Sequence, residues 1–465
     1  MGKKIINNNT NPRQLAFIAL RSVYKGKFAD EALDRVVQQN NLSDVDRRLV
    51  TELVYGCVRR MRSLDTIIDQ LAKKKASQQS PDLRTILHLG LYQLRYLSHI
   101  PPAAAVNTTV ELTKQNNLAN LGGFVNGLLR QYIRLSNPNS SEELAKENNF
   151  IEPLKLPENI GDRLGILHSF PDWIISLWLT EIGLTETEEL CQWMNKTPTI
   201  DLRVNPMLSS VETVETALQA GGISVSSLPY LPQALRLNSN LGTIQNLPGF
   251  KQGYWTIQDS SAQLPVLLLD PQPGEIIIDA CAAPGGKTTQ IAELMTDKGT
   301  IWACDKVANR LKKLKENADR LQLKSIQIIT GDSRNFNQFI GVADRVLVDA
   351  PCSGLGTLHR RADARWKHTP ENIKELAKLQ GELLTETAKW VKPGGILVYS
   401  TCTLHPLENE NVIITFLNNH PNWQIIPPAP NSPAANFVTQ EGWVKVWPHR
   451  HSMDGFFMVK LQKKC

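Results

Sequence analysis

The chain is 465 residues long, 42% hydrophobic and 21% charged, with a net charge of +6; the length fits about two to four domains and excludes a small, stapled scaffold. Its seven cysteines are odd in number and scattered at 57, 191, 281, 304, 352, 402 and 465 without CxxC spacing, which argues against a disulfide framework or a cysteine zinc site and for a reducing cytoplasm. No segment approaches the ~18 apolar residues that span a bilayer, and Met1–Asn9 lacks the apolar core of a leader, so neither a membrane nor a metal is expected as a partner.

Residues 10–135 show helical periodicity with cap signals and almost no strand alternation, which predicts an all-α bundle. Ser43-Asp44-Val45-Asp46 resembles a capping box opening a helix through Val58. Ser80-Pro81 supplies an N-cap with proline at the first helical position, and Phe124, Leu128, Leu129, Tyr132 and Ile133 form one apolar face, read as core. Residues 1–135 hold 20 Lys and Arg against 10 Asp and Glu, while the remainder holds 31 against 35. A basic domain joined to a near-neutral one points to an electrostatic grip on nucleic acid, although a solvated basic helical surface explains the charge about as well. The polar, turn-rich stretch around 136–158 reads as a linker, giving a helical domain over 1–140 and a linker over 141–158.

Residues 159–255 change character. A Trp-rich helix with Trp173 and Trp178, a strand-like Thr199–Val204, a helix ending at Gly221-Gly222 and short β-like runs predict a small α+β domain. From 256 to 465, strands at 276–279, 300–305, 325–330, 344–349 and 395–401 alternate with helices, which predicts an α/β, doubly wound, Rossmann-like parallel sheet.

In such sheets a ligand lies beyond the carboxyl ends of the strands, recognised by the first turn and by the acidic residue ending the second strand. The turn here is Cys281-Ala282-Ala283-Pro284-Gly285-Gly286-Lys287-Thr288, following Ile276-Ile277-Ile278-Asp279. Asp305 ends the second strand, 20 residues beyond Gly285, where a carboxylate accepts from ribose hydroxyls; Asp332 closes the third strand, placed to meet an adenine edge. One such carboxylate is as apt to cap a helix, but three in sequence order favour a ligand. Gly285-Gly286-Lys287-Thr288 is a near miss for a phosphate loop, whose first glycine is replaced by Cys281. Carboxylates suit a phosphate-free, ribose-bearing cation, which favours S-adenosyl-L-methionine.

Two more cysteines end apolar runs: Cys352 in Asp349-Ala350-Pro351-Cys352-Ser353-Gly354, and Cys402 in Ser400-Thr401-Cys402-Thr403. Carbon 5 of cytosine is a poor nucleophile until a group adds at carbon 6, and a thiolate is well suited to that addition. The adduct takes the methyl group, a base removes the carbon-5 proton, and the thiolate leaves. Asp349 is positioned to hydrogen-bond ring N3 and the exocyclic amine. Isolated cysteines are usually buried packing residues, as expected for Cys57, Cys191 and Cys304; position sets Cys352 and Cys402 apart. His405 reads as a turn residue, not a metal ligand. This chemistry leaves open which thiol attacks.

These motifs, with Asp454-Gly455-Phe456-Phe457, resemble those of the Sun-type RNA cytosine-5 methyltransferases. Pro101-Pro102-Ala103-Ala104-Ala105-Val106-Asn107 and Val125-Asn126-Gly127-Leu128-Leu129-Arg130 resemble the NusB-like RNA-binding domain found in the RsmB/Sun/Fmu family of bacterial 16S rRNA methyltransferases. The resemblance covers nearly the whole chain. It implies that Cys402 is the nucleophile, that Cys352 assists product release, and that Cys281 to Lys287, Asp305, Asp332 and Asp349 contact S-adenosyl-L-methionine. It also implies cytosine 967 of 16S rRNA as the target. Thr403 stands where many members carry serine, and the hydroxyl is retained.

His359-Arg360-Arg361 and Arg365-Trp366-Lys367 add cationic and stacking groups after Cys352, expected beside the catalytic mouth, where a looped or flipped nucleotide would enter; the alternative is a basic loop packing Trp366 into a core. A non-catalytic NusB-like RNA-binding protein would leave the paired cysteines idle, a phosphate-loop hydrolase lacks its loop, and the same chemistry on another RNA such as tRNA is the nearer rival.

Overall fold

Prolines and short polar side chains start the N-terminal helices, and the computed structural model, which describes residues 11–136, 154–238 and 243–465, shows how. Asn11 Oδ1 accepts from the Arg13 amide, Ser43 Oγ from Asp46 and Ser80 Oγ from Leu83, each satisfying an amide that the first helical turn leaves without a partner. The helices so begun, Pro12–Tyr24, Asp44–Arg59 and Pro81–Tyr96, pack with Ala29–Gln38, Met61–Leu71, Pro102–Gln115 and Gly122–Ser136. Leu20, Leu53, Leu87, Leu112 and Leu129 are fully buried between them. On Gly122–Ser136 the buried face is Val125, Leu128, Leu129 and Tyr132, whereas Phe124, expected in the core, is 38% exposed and opens onto a groove.

This helical unit comprises Met1–Asn195 together with Arg361–Lys367. It includes the helices Ile160–His168 and Asp172–Trp193. Most of the expected linker, residues 137–153, lies outside the described residues. In the segment Arg361–Lys367 the alternative of inward packing holds, not that of an exposed RNA-facing loop. Arg365 is fully buried, its guanidinium 4.0 Å from the Phe170 ring and donating to the carbonyls of Arg59 (3.2 Å) and Ser169 (3.0 Å). Trp366 Nε1 donates to Val58 O at 2.8 Å, and Asp363 accepts from the Ala29 amide. These groups are internal packing of the helical unit, because a guanidinium plane and an indole N–H satisfy carbonyls that helix ends leave open.

The second unit, Lys196–Arg360 and His368–Cys465, holds two sheets. β1 (Ile200–Val204), β2 (Val225–Leu228), β3 (Leu231–Leu237) and β4 (Trp255–Ile257) form an antiparallel sheet in the order β2-β3-β1-β4. The helix Val211–Ala220 buries Val214 and Leu218 against Leu202, Leu235 and Trp255, as a small α+β domain requires. The larger sheet contains β5 (Ile276–Asp279), β6 (Thr300–Asp305), β7 (Ile326–Thr330), β8 (Ala343–Asp349), β9 (Val391–Thr401), β10 (Trp423–Ile425), β11 (Val444–Val446) and β12 (Phe456–Lys463).

Its order is β10-β12-β9-β8-β5-β6-β7, with β11 paired to β12. The strands β5 to β9 run parallel, while β12 is antiparallel to β9 and β10 and β11 are antiparallel to β12, so the doubly wound sheet is mixed. The strand order turns back at β5 and β8, the switch point at which the carboxyl ends of such sheets open a crevice. Among the described residues no helix is long and apolar enough to cross a membrane.

Candidate active site

The first turn is built by small residues. Gly285 has φ +106°, and a Cβ there would lie 2.7 Å from the Leu314 side chain, so only glycine fits at the start of the helix Gly286–Leu294. The turn is tied down at both ends: Ala282 N donates to Cys304 O at 2.8 Å, and Thr288 Oγ1 donates to Asp279 Oδ2 at 2.7 Å. Arg203, fully buried on β1, donates to Glu293 at 2.9 and 2.8 Å, to Gly286 O at 2.7 Å and to Thr289 Oγ1 at 3.0 Å. The sequence carries no signal for that charged anchor of the helix, since Arg203 there is one cation in a strand.

Four carboxylates line the strand ends. Asp279 is buried, and burial, reinforced by the charge of Asp349, pushes its carboxyl up to about 7. Asp305, ending β6, accepts from the amides of Ala283 (3.2 Å) and Val307 (2.8 Å), and Arg310 spans from Asp305 at 3.7 Å to Ala283 O at 2.7 Å. Asp332, after β7, is held by Arg334 at 2.6 Å, whose hydrogen bonds bring its carboxyl down to about 2. Asp349, ending β8, accepts from Lys287 Nζ at 2.7 Å and from Ser400 Oγ at 2.9 Å. Each ionised oxygen has more than one acceptor site, so these contacts orient the carboxylates without using them up. A glycine-lined turn facing several carboxylates fits a cationic, ribose-bearing ligand.

Cys352 and Cys402, 50 residues apart in sequence, bring their sulfurs to 3.4 Å. The hydrogen bond with Cys402 first, then burial and the charges of Glu408 and Asp349, push the Cys352 thiol well above its ordinary range. Glu408, fully buried, joins the two cysteine loops. Its Oε1 accepts from the Ser353 amide (2.9 Å) and Gln380 Nε2 (3.0 Å), and its Oε2 from Ser353 Oγ and from Thr403 Oγ1 (3.3 Å). Gln380 also donates to Pro351 O at 2.9 Å. The late Asp454-Gly455-Phe456-Phe457 segment closes the other side: Gly455 N donates to Gly356 O at 2.8 Å and Gly356 N to Cys402 O at 3.0 Å. Phe456 lies 5.0 Å from Lys287 Nζ, and Phe457 pairs with Thr401.

The structure thus sets the pair Asp349–Lys287 and the pair Cys352–Cys402 close enough for the Asp349 charge to act on Cys352, with Asp305 and Asp332 at the ends of the adjoining strands. Cys57, Cys191 and Cys304 are buried, with thiols that burial pushes upward, as packing cysteines are. Cys281, in the turn, is raised too, by burial and then by Asp279, Asp349 and Asp305. His405 caps a short turn by accepting from the Leu407 amide at 3.2 Å. His359 and Arg360 pair with buried Asp454 at 3.0 and 2.9 Å, so they too serve packing.

Residues 266–462 match the family described as 16S rRNA methyltransferase RsmB/F, residues 10–134 the NusB family, and residues 170–243 the ferredoxin-like domain of RsmF/B-like methyltransferases. The chain is 47% identical over 456 residues to a probable ribosomal RNA small subunit methyltransferase B of Synechocystis, covering 97% of this chain and 99% of that one. It is 34% identical to a Bacillus subtilis protein of the same description, over 98% and 99% of the two chains. In structure it is similar to the crystal structure of PH0851, with a TM-score of 0.80, 29% identity and coverage of 97% and 99%.

Proposed function

Because the chain belongs to the 16S rRNA methyltransferase RsmB/F family, we propose that it methylates carbon 5 of a cytosine in 16S rRNA, cytosine 967, through a covalent adduct between Cys402 and carbon 6. The observation that carries this reading is the pair of sulfurs 3.4 Å apart, bordered by Asp349 and its Lys287 partner. Packing alone explains neither two half-buried thiols in contact nor the carboxylate network beneath them.

S-adenosyl-L-methionine, held by Cys281 to Lys287, Asp305, Asp332 and Asp349, supplies an electrophilic methyl group when bound. Cys402 adds to carbon 6, and the electron density released toward N3 and O2 makes carbon 5 nucleophilic. Asp349 accepts from the exocyclic amine, and the Lys287 ammonium beside it offsets the negative charge that develops on the ring. Cys352, held protonated, donates to the Cys402 sulfur. Once Cys402 is bonded to carbon 6 its sulfur no longer holds that hydrogen bond; Cys352 then gives its proton to water and, as the thiolate, takes the proton from carbon 5. Loss of that proton re-forms the carbon 5–carbon 6 double bond and expels Cys402.

In this reading 1–140 is the RNA-binding domain, 159–255 the small domain and 256–465 the catalytic one. The reaction belongs in a reducing cytoplasm, since both cysteines must stay reduced. Bisulfite mapping of 16S rRNA tests it: cytosine 967 is protected from conversion in the parent strain and converted in a strain lacking the chain. Loss of protection in a tRNA instead, with 967 unchanged, overturns the target.

A further inference from the structure

The helical unit carries a groove of about 740 Å3 between the segment 71–83 and the helix Gly122–Ser136. Leu83 and Leu128 form its buried floor, Phe124 stands exposed on its wall, and Lys73 and Lys74 are exposed on its rim, followed by Lys75. The rim is a fixed loop: Ala76 N donates to Asp69 Oδ1 at 2.6 Å, Gln79 Nε2 to Lys74 O at 2.8 Å, and Lys75 N to Gln78 Oε1 at 3.2 Å. Among the described residues none of the three lysines forms an ion pair. Three ammonium groups without an ion-pair partner, against the single Asp69 carboxylate that holds the loop, leave a net positive local field that an anionic occupant would complement.

Gly127 also lines the groove. A Cβ at Gly127 would meet nothing within 4 Å, whereas one at Gly56 would strike Tyr92 and one at Gly90 would press on Thr109 and Leu129. Glycine in mid-helix weakens the helix relative to alanine. Gly123 on the same helix and Gly381 in another are open in the same way, so Gly127 shows only that the groove is unobstructed where an occupant would lie. An exposed aromatic ring over an apolar floor accepts a flat base, and exposed Gln131 offers both a donor and an acceptor to its edge. A strongly acidic peptide would match the lysines but leave Phe124 without a stacking partner.

We propose that this groove binds a single-stranded segment of the RNA substrate, one base stacked on Phe124 above Gly127 and successive phosphates on Lys73, Lys74 and Lys75. The proposal rests on the RNA-methyltransferase reading and places part of its substrate on the helical unit.

The test uses the full-length chain and a fluorescent 16S rRNA fragment that carries the target hairpin with single-stranded flanks, titrated by anisotropy over a range of salt. Phe124→Ala weakens binding roughly 5- to 150-fold, the range for one lost base stack. Gly127→Leu weakens it as well while keeping or raising the melting temperature, since it fills the groove and favours the helix. Replacing the three lysines by glutamine lowers the slope of log K against log salt by about 2, at ~0.7 per phosphate. If the wild type binds the RNA and all the variants match it in affinity and slope, the groove proposal is overturned and the RNA reading stands. If the wild type binds S-adenosyl-L-methionine but not this RNA, the reading beneath it fails. If RNA binding is unchanged but a polyglutamate peptide binds the wild type and not the variants, the groove docks a protein and the proposal is again overturned.

Discussion

Glu408 accepts from both the amide and the hydroxyl of Ser353, the residue that follows Cys352. Through Thr403 it also holds the residue that follows Cys402, so one buried carboxylate fixes the positions of both thiols. Glu408→Gln keeps the shape but turns an N–H pair toward groups that already donate, leaving a buried donor unmatched. Turnover is expected to fall about 100-fold, the scale of a misplacement of about an ångström, with cofactor affinity unchanged. Turnover near wild type in stopped-time methylation assays contradicts a positioning role.

Asp305 ends β6 with both oxygens oriented by backbone amides. Asp305→Ala is expected to weaken S-adenosyl-L-methionine binding by ~1.5–3 kcal/mol, the scale of a lost charge-assisted hydrogen bond. Calorimetry that finds unchanged affinity removes Asp305 from the cofactor site.

The buried Asp279 carboxyl, pushed up to about 7 by burial and then by Asp349, gives a pH dependence of definite sign. Its folded value lies above the ~3.9 of the unfolded chain, so its contribution to stability is fully present below about pH 4 and is lost as pH rises through 7. Asp279→Asn removes that loss. Between pH 4 and 7 the unfolding free energy of the variant should rise relative to wild type, by up to about 4 kcal/mol. Parallel profiles in urea titrations across this range contradict the burial argument.

Arg365 is spent on carbonyls and on Phe170 within the helical unit. Arg365→Lys loses the planar fork that makes these contacts and should destabilise the unit by about 1–3 kcal/mol, seen as a lower melting temperature. The salt slope of RNA binding should not change. A reduced slope with normal stability would return Arg365 to the RNA surface.

What the sequence revealed follows from how strongly each feature patterns the chain. The strands β5 to β8 and the second half of β9, Ile396–Thr401, are short apolar runs that end on Asp279, Asp305, Thr330, Asp349 and Thr401, and their periodicity differs sharply from the helices between them; the Lys392-Pro393-Gly394-Gly395 start of β9 has no strand pattern. β12 begins with the run Phe456-Phe457-Met458-Val459, all buried, which has no alternation to separate strand from helix, so periodicity identifies strands only as far as β9. Arg365 and Trp366 misled because a cation beside an aromatic looks the same whether it faces RNA or a helix end. Glu408 left no signal at all: it is one carboxylate in a turn, and its role exists only once β8 and β9 lie side by side.

The central claim is that Cys402 forms the covalent bond and Cys352 ends it, and trapping the protein–RNA adduct tests this most directly. Cys352→Ala, incubated with S-adenosyl-L-methionine and the 16S rRNA fragment, should accumulate a denaturation-resistant protein–RNA band that carries the methyl group. Adding Cys402→Ala should abolish the band, and Cys402→Ala alone should bind cofactor without methylating or trapping. A band formed by Cys402→Ala and lost on adding Cys352→Ala would reverse the two roles, and near-wild-type methylation by Cys402→Ala would contradict the covalent mechanism itself.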